Sequence, residues 1–354
     1  MQILDNPRRG AGLPGLGLAP EQMPASDPSR VAALLAHCPA AAQTPLRAAP
    51  RIAAQAGLAA LHLKDERDRM GLGSFKALGA AHAIARDAAD AVRGSVPDRA
   101  SLAGRTYVTA SAGNHGLSLA AGARIFGAQA VIYLAETVPE AFAARLRAKG
   151  AEVVRAGAVY EESMAAAAEA AARHGWRLLS DSSWPGYLDA PHAVMEGYLQ
   201  LVDEAAAQVP GPPDLVLVQA GVGGLAASVA AFARARWGAA PRIVVVEPEA
   251  APALIESVRA GRVVETAGPV SAMGRLDCKT PSLIALAGLA RDADAFVTVS
   301  EAEAAAAVEA LAAEGIATTP SGAAAIAPLL GAEAARLGAA GHALAFVTEE
   351  AESG

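Results

Sequence analysis

Leu215-Val216-Leu217-Val218-Gln219, running into Ala220-Gly221-Val222-Gly223-Gly224-Leu225, decides the fold. A short apolar run without polar alternation reads as a strand covered on both faces, and the glycines turn it at once into a helix at 225–237. Strand, glycine turn and helix in that order form the repeating unit of a parallel sheet. The loop has a second meaning. Glycines at a helix start let backbone N–H groups and the positive end of the helix dipole hold a phosphate. A nucleotide would serve this loop equally well, but the spacing is not that of a dinucleotide fingerprint. The next acidic residue, Glu247, is followed by Pro248.

The same alternation continues on either side. Strands are expected at 58–63, 106–109, 130–134, 151–155, 177–179, 242–246 and 343–348. Helices are expected at 75–89, 116–126, 139–149, 160–174 and 192–208. Residues 1–40 read as an irregular arm and a short helix. The class is α/β, with largely parallel sheets flanked by helices.

The chain has 354 residues, is 53% hydrophobic and carries a net charge of −7. That suffices for two domains around a cleft. Without a basic stripe, a nucleic-acid partner is not expected. No apolar run reaches the roughly 20 residues that span a bilayer, and the start lacks the layout of a signal peptide. Two cysteines, Cys38 and Cys278, give no disulfide framework. A cytoplasmic, reduced protein without a metal site is the plain reading. Arginine supplies nearly all the positive charge, since the only four lysines are Lys64, Lys76, Lys149 and Lys279. A lysine inside an apolar segment therefore calls for a chemical explanation.

Lys76 is such a lysine. It stands in Ser74-Phe75-Lys76 at a helix start, where the dipole and an apolar setting would both depress its pKa and favour a nucleophilic amine. The plain alternative is a surface lysine with its head in water. Two further loops sit at strand ends, where open α/β sheets bind ligands. Ser111-Ala112-Gly113-Asn114-His115 can turn backbone N–H groups toward a carboxylate, although Asn-His is also ordinary turn chemistry. Pro320-Ser321-Gly322 precedes an alanine-rich helix at 323–330, which Ser321 could simply cap.

Taken in order, Ser-x-Lys, Ser-x-Gly-Asn-His, Gly-x-Gly-Gly-Leu and Pro-Ser-Gly resemble the fold type II pyridoxal-phosphate enzymes. That group includes threonine and serine dehydratases, cysteine synthases and tryptophan synthase β. Within it the likeness is to diaminopropionate ammonia-lyase. It rests on Lys64-Asp65-Glu66, on residues 71–76 and on Asp181-Ser182-Ser183-Trp184-Pro185-Gly186-Tyr187. Met195-Glu196-Gly197-Tyr198 and the segment from Gly274 to Pro281 add to it.

The resemblance implies a large cofactor domain of residues 1–80 and 191–354, with a small domain of residues 81–190 inserted. It implies pyridoxal 5′-phosphate on Lys76, its phosphate held by Gly221, Val222, Gly223, Gly224 and Leu225. Asn114 would face the phenolic oxygen and Ser321 the ring nitrogen. A hydroxyl there makes a milder electron sink than a carboxylate, which suits elimination. Ser111, Ala112, Gly113 and His115 would hold the substrate's carboxylate, Lys76 would take the Cα proton, and Lys76 or Asp181 would serve the leaving group. The implied reaction is β-elimination from a small amino acid such as L-2,3-diaminopropionate, giving a keto acid and ammonia. A serine, threonine or 3-hydroxyaspartate dehydratase is the alternative, and the implied assembly is a homodimer. One departure stands out. Where the resembling lyases carry Thr-Asp-Gly-Asn-His, with an aspartate serving the D-isomer, this chain has Ala112.

Overall fold

The computed structural model describes residues 1–93, 95–338 and 341–351. Its strands in chain order are β1 (Gln2–Asp5), β2 (Leu46–Ala48), β3 (Ala60–Asp65), β4 (Thr106–Ala110), β5 (Gln129–Leu134) and β6 (Glu152–Arg155). They continue with β7 (Arg177–Leu178), β8 (Leu215–Gln219), β9 (Arg242–Pro248), β10 (Ala295–Val299) and β11 (His342–Val347). Seven of them form one sheet in the order β1-β10-β9-β8-β11-β3-β2, and four form a second in the order β6-β5-β4-β7. The smaller sheet is parallel throughout. In the larger one β10, β9, β8, β11 and β3 run parallel, with β1 and β2 antiparallel at the edges.

The apolar run that opened the reading is the middle of the large sheet. Val216 and Val218 pack to one side with Ile243, Val245, Phe296 and Phe346. Leu215 and Leu217 pack to the other with Val244, Val246, Val297 and Ala345. A strand covered on both faces needs no polar side, which is why its sequence does not alternate.

Four differences from the expected elements stand out. The arm contains β1, an edge strand of four residues, too short for a periodic signal. β10 was not anticipated either, although its five residues are all buried. The helix expected at 192–208 is two helices, Asp189–Gly197 and Leu199–Gln208, hinged at Tyr198. Here the Tyr198 N–H bonds the carbonyl of Met195 at 3.0 Å, and the Ser228 hydroxyl bonds the same carbonyl at 2.8 Å, so the turn ends there. Close packing fixes the break. A Cβ on Gly197 would lie 2.6 Å from the Leu78 carbonyl oxygen, and one on Gly79 would lie 2.7 Å from the Tyr198 ring. The helix expected at 323–330 is likewise divided, into Pro320–Ala323 and Ala327–Leu330 with a 3-10 turn between them. Pro328 has no N–H to continue the ladder.

Candidate active site

The chemistry-bearing loops leave the C-terminal ends of β3, β4, β7, β8 and β11 and meet between the sheets. Lys76 opens the helix Lys76–Val92. The segment before it is held from below by buried charge. Arg69 donates to Glu66 and Glu204, and the Lys64 ammonium donates to Glu204 at 2.7 Å. Arg69 and Lys64 are fully buried, so removing one carboxylate would strand a charge. Just beyond, Met70 takes a left-handed conformation at φ +55, a strained state for a side chain with a Cβ. The segment then pairs with the end of the chain: Phe75 N–H bonds the Thr348 carbonyl at 3.1 Å and Glu350 N–H bonds that of Gly73 at 2.9 Å.

The Lys76 ammonium donates to the Asp181 carboxylate at 2.7 Å. This corrects one expectation. Burial does pull the Lys76 pKa down, but the Asp181 carboxylate outweighs it and the net shift is upward. Asp181 responds in kind. Burial pushes its carboxyl up, yet the Lys76 ammonium holds it well below the usual carboxylate range. In this state Asp181 carries no proton to give a leaving group.

The Trp-Pro-Gly-Tyr block positions Asp181. The rings of Trp184 and Tyr187 stack at 4.3 Å across a turn at Gly186, whose φ is +85. The Tyr187 hydroxyl donates to the Leu178 carbonyl at 2.9 Å and accepts from Ser180 N–H at 3.0 Å, clamping the chain on both sides of Leu179.

On the β4 side, Asn114 begins the helix Asn114–Ile125 and Ser111 lies in the turn ahead of it. His115 is buried, with Nε2 2.8 Å from the Leu179 carbonyl and Nδ1 without a hydrogen-bond partner. Burial lowers its pKa, so the ring is neutral. Asn114 does not point at empty space: its amide donates to Glu349 at 2.7 Å. Ser321 is not the cap of its helix. Thr319 is, accepting from Gly322 N–H at 3.0 Å, while the buried Ser321 hydroxyl accepts from Arg275 N–H at 3.1 Å.

The glycine loop is shaped for close approach. Gly223 sits at φ +97 immediately before the helix Gly224–Trp237. A Cβ on Gly221 would lie 3.0 Å from both the Cys278 sulfur and the Leu276 Cα. Cys278 lies behind this loop as a free thiol that burial pushes up to about 11, and Cys38 is free as well.

A family model of the pyridoxal-phosphate dependent enzymes matches residues 38–349. The chain belongs to that family. Diaminopropionate ammonia-lyase from Salmonella typhimurium is 31% identical over 284 residues, which is 73% of this chain and 69% of that protein. The Escherichia coli diaminopropionate ammonia-lyase, solved in complex with D-serine, superposes with a TM-score of 0.87 at 25% identity, over 99% of this chain and 93% of the other. The serine dehydratase-like protein of Homo sapiens is 32% identical over 183 residues, 51% of this chain and 53% of its own.

The residues fit the family's cofactor. A loop that excludes a Cβ at a helix N-terminus suits a phosphate. A lysine amine and a buried hydroxyl, Ser321, stand in the neighbouring strand-end loops. Among the described residues, no group of three or more His, Cys, Asp or Glu is placed to hold a metal ion. Sequence reading missed Glu349. It follows β11 at the same end as every other loop, which was the available signal, but it sits in an acidic tail that resembles solvated surface.

Proposed function

We propose that this pyridoxal-phosphate enzyme is an ammonia-lyase that removes the β-amino group of L-2,3-diaminopropionate or a close analogue, releasing a keto acid and ammonia. The observation that carries the reading is the Lys76–Asp181 pair at 2.7 Å, beside the glycine loop, where a Cβ on Gly224 would lie 3.9 Å from the Asp181 carbonyl oxygen. The 31% identity with the Salmonella typhimurium lyase supports it. When bound, the cofactor withdraws electrons from Cα and loosens its proton.

The chain's own residues do the rest. Lys76 holds the cofactor and, when released, takes the Cα proton. The N–H groups of Gly221, Val222, Gly223, Gly224 and Leu225 hold the phosphate. Ser321 faces the ring nitrogen, and Asn114 is free to face the phenolic oxygen once it leaves Glu349. Ser111, Ala112, Gly113 and His115 form the turn that receives the substrate's carboxylate. Asp181 pairs with the Lys76 amine while no cofactor is attached, and once Lys76 is engaged its carboxylate is available to the substrate's β-ammonium. Residues 81–190 close on the rest of the chain and exclude water. We place the enzyme in the cytoplasm as a homodimer; among the described residues no helix is long and apolar enough to cross a membrane.

A second reading, elimination of water from L-serine or L-threonine, draws on Ala112 and on the human serine dehydratase-like relative. Ammonia and keto-acid release from L-2,3-diaminopropionate, L-serine, L-threonine and 3-hydroxyaspartate decides between them. The lyase reading expects diaminopropionate to be turned over fastest. Fastest turnover of a hydroxy amino acid would establish the second.

A further inference from the structure

Glu349 is a carboxyl group that the proposed reaction leaves unused. It is 5% exposed and stands within the segment that pairs with the Lys76 loop, bridged to Ser74. Its Oε2 accepts from the Asn114 amide at 2.7 Å and its Oε1 from the Thr319 hydroxyl. Both donors are neutral. The Arg275 guanidinium pairs with it more loosely, with Nε 3.7 Å from Oε2, beyond hydrogen-bond length. With Asn114, Thr319 and Arg275 it lines a cleft that also receives Arg145 and the neighbouring acid Glu350. Lys76 acts on it through space from the start of its helix.

We propose that Glu349 supplies the proton to a hydroxyl leaving group, so that this one carboxyl decides how well the enzyme eliminates water as opposed to ammonia. The proposal rests on the β-elimination reading. Burial raises the pKa of Glu349 above the ordinary glutamate range, and the Thr319, Arg275, Lys76 and Asn114 contacts only partly offset it. Asp181, on the other wall, is already assigned as the carboxylate that meets the substrate's β-ammonium.

The step balances without a further reactant. The Cα–H proton passes to the Lys76 amine, and its electron pair forms the Cα–Cβ double bond. The Cβ–O bond breaks with its electrons on oxygen, and the Glu349 O–H proton completes a water molecule. Solvent reprotonates Glu349. A β-ammonium needs no such donor, because it already carries the proton with which ammonia departs. A hydroxyl depends on Glu349 and an ammonium does not.

The test is a pair of pH profiles on the reconstituted enzyme, with L-serine and L-2,3-diaminopropionate as substrates, for the wild type and Glu349→Gln. Wild-type turnover of serine should fall as pH rises through the raised Glu349 pKa, and diaminopropionate should lack that basic limb. Glu349→Gln should remove the limb and slow serine about 100-fold, the usual scale of a general acid, while diaminopropionate changes by less than about 3-fold. An independent readout needs no turnover. The difference between the wild-type and Glu349→Gln infrared spectra should show a protonated buried carboxyl band that is lost as pH rises, over the band that buried Glu247, pushed up to about 8, contributes to both. Equal loss on both substrates, unchanged serine turnover, or a difference spectrum without that band would overturn the proposal. Should Glu349→Gln fail to fold, identical wild-type profiles on the two substrates would overturn it just as well. Failure of the underlying reading looks different: the wild type would release ammonia from neither substrate, and this proposal would fall with it.

Discussion

Two walls of one cleft each end in an acid, and the pKa values of the two are shifted in opposite directions. Asp181 follows β7 of the small sheet and meets an ammonium at 2.7 Å; Glu349 follows β11 of the large sheet and meets an amide and a hydroxyl. Burial raises the pKa of both. On the small-sheet wall the Lys76 charge reverses that shift, whereas on the large-sheet wall the donors only reduce it. At Asp181 the contacting charge sets the direction of the shift, and at Glu349 burial does. Pairs of acids driven apart in this way can divide acid and anion roles between them.

The comparison can be broken most severely by removing the shared cation. Lys76→Ala should abolish turnover, a loss of at least about 1,000-fold on the scale of lost base and cofactor attachment. It should also raise the Asp181 pKa, because the chief opposition to burial is then gone. Carbon-13 titration of the aspartate carboxyls checks the second half, and an unmoved Asp181 would mean that the ion pair does not set its state.

Asp181→Asn attacks the same wall from the other side. Wild-type Lys76 has a raised pKa, so the amine is protonated to higher pH; without the carboxylate, burial should lower it. Cofactor attachment, followed by absorbance, should then reach its half-maximal rate at lower pH. Turnover of diaminopropionate should fall about 100-fold while cofactor affinity changes little. Unchanged turnover would reduce Asp181 to a structural role in its turn.

Ala112→Asp adds a carboxylate to the small-sheet wall. Lys76 reaches the Cα proton of one enantiomer, and a methyl group cannot accept the proton of the other. Wild type should therefore release ammonia from L-diaminopropionate and little from the D-isomer, and the variant should gain D-isomer activity. Comparable wild-type rates on both isomers would show that another group serves the opposite face.

The smallest effect is expected from Thr319→Val on the opposite wall. The lost hydroxyl favoured ionised Glu349, so the basic limb on serine should move up in pH. A limb that stays in place would mean that Thr319 does not tune Glu349.

How much of this was legible in the sequence follows the same division between local and distant causes. The strand at Leu215–Gln219 and the helix Tyr160–His174 fall where the pattern put them, because local apolar periodicity decides them. The glycine loop was legible for the same reason. The hinge at Tyr198 was not, since it depends on Gly79 and Ser228, distant in sequence. The charge state of Lys76 was misread because helix dipole and burial can be guessed locally, whereas Asp181 lies 105 residues away. Glu349 escaped notice because only the fold turns an acidic tail into a cleft wall.

The central claim is that Lys76, alone among four lysines, carries pyridoxal 5′-phosphate. Reduction of the reconstituted protein with borohydride, followed by peptide mapping, tests it directly. The account predicts a single pyridoxyl label, on Lys76, absent from Lys76→Ala. A label on Lys64, Lys149 or Lys279 instead would contradict it.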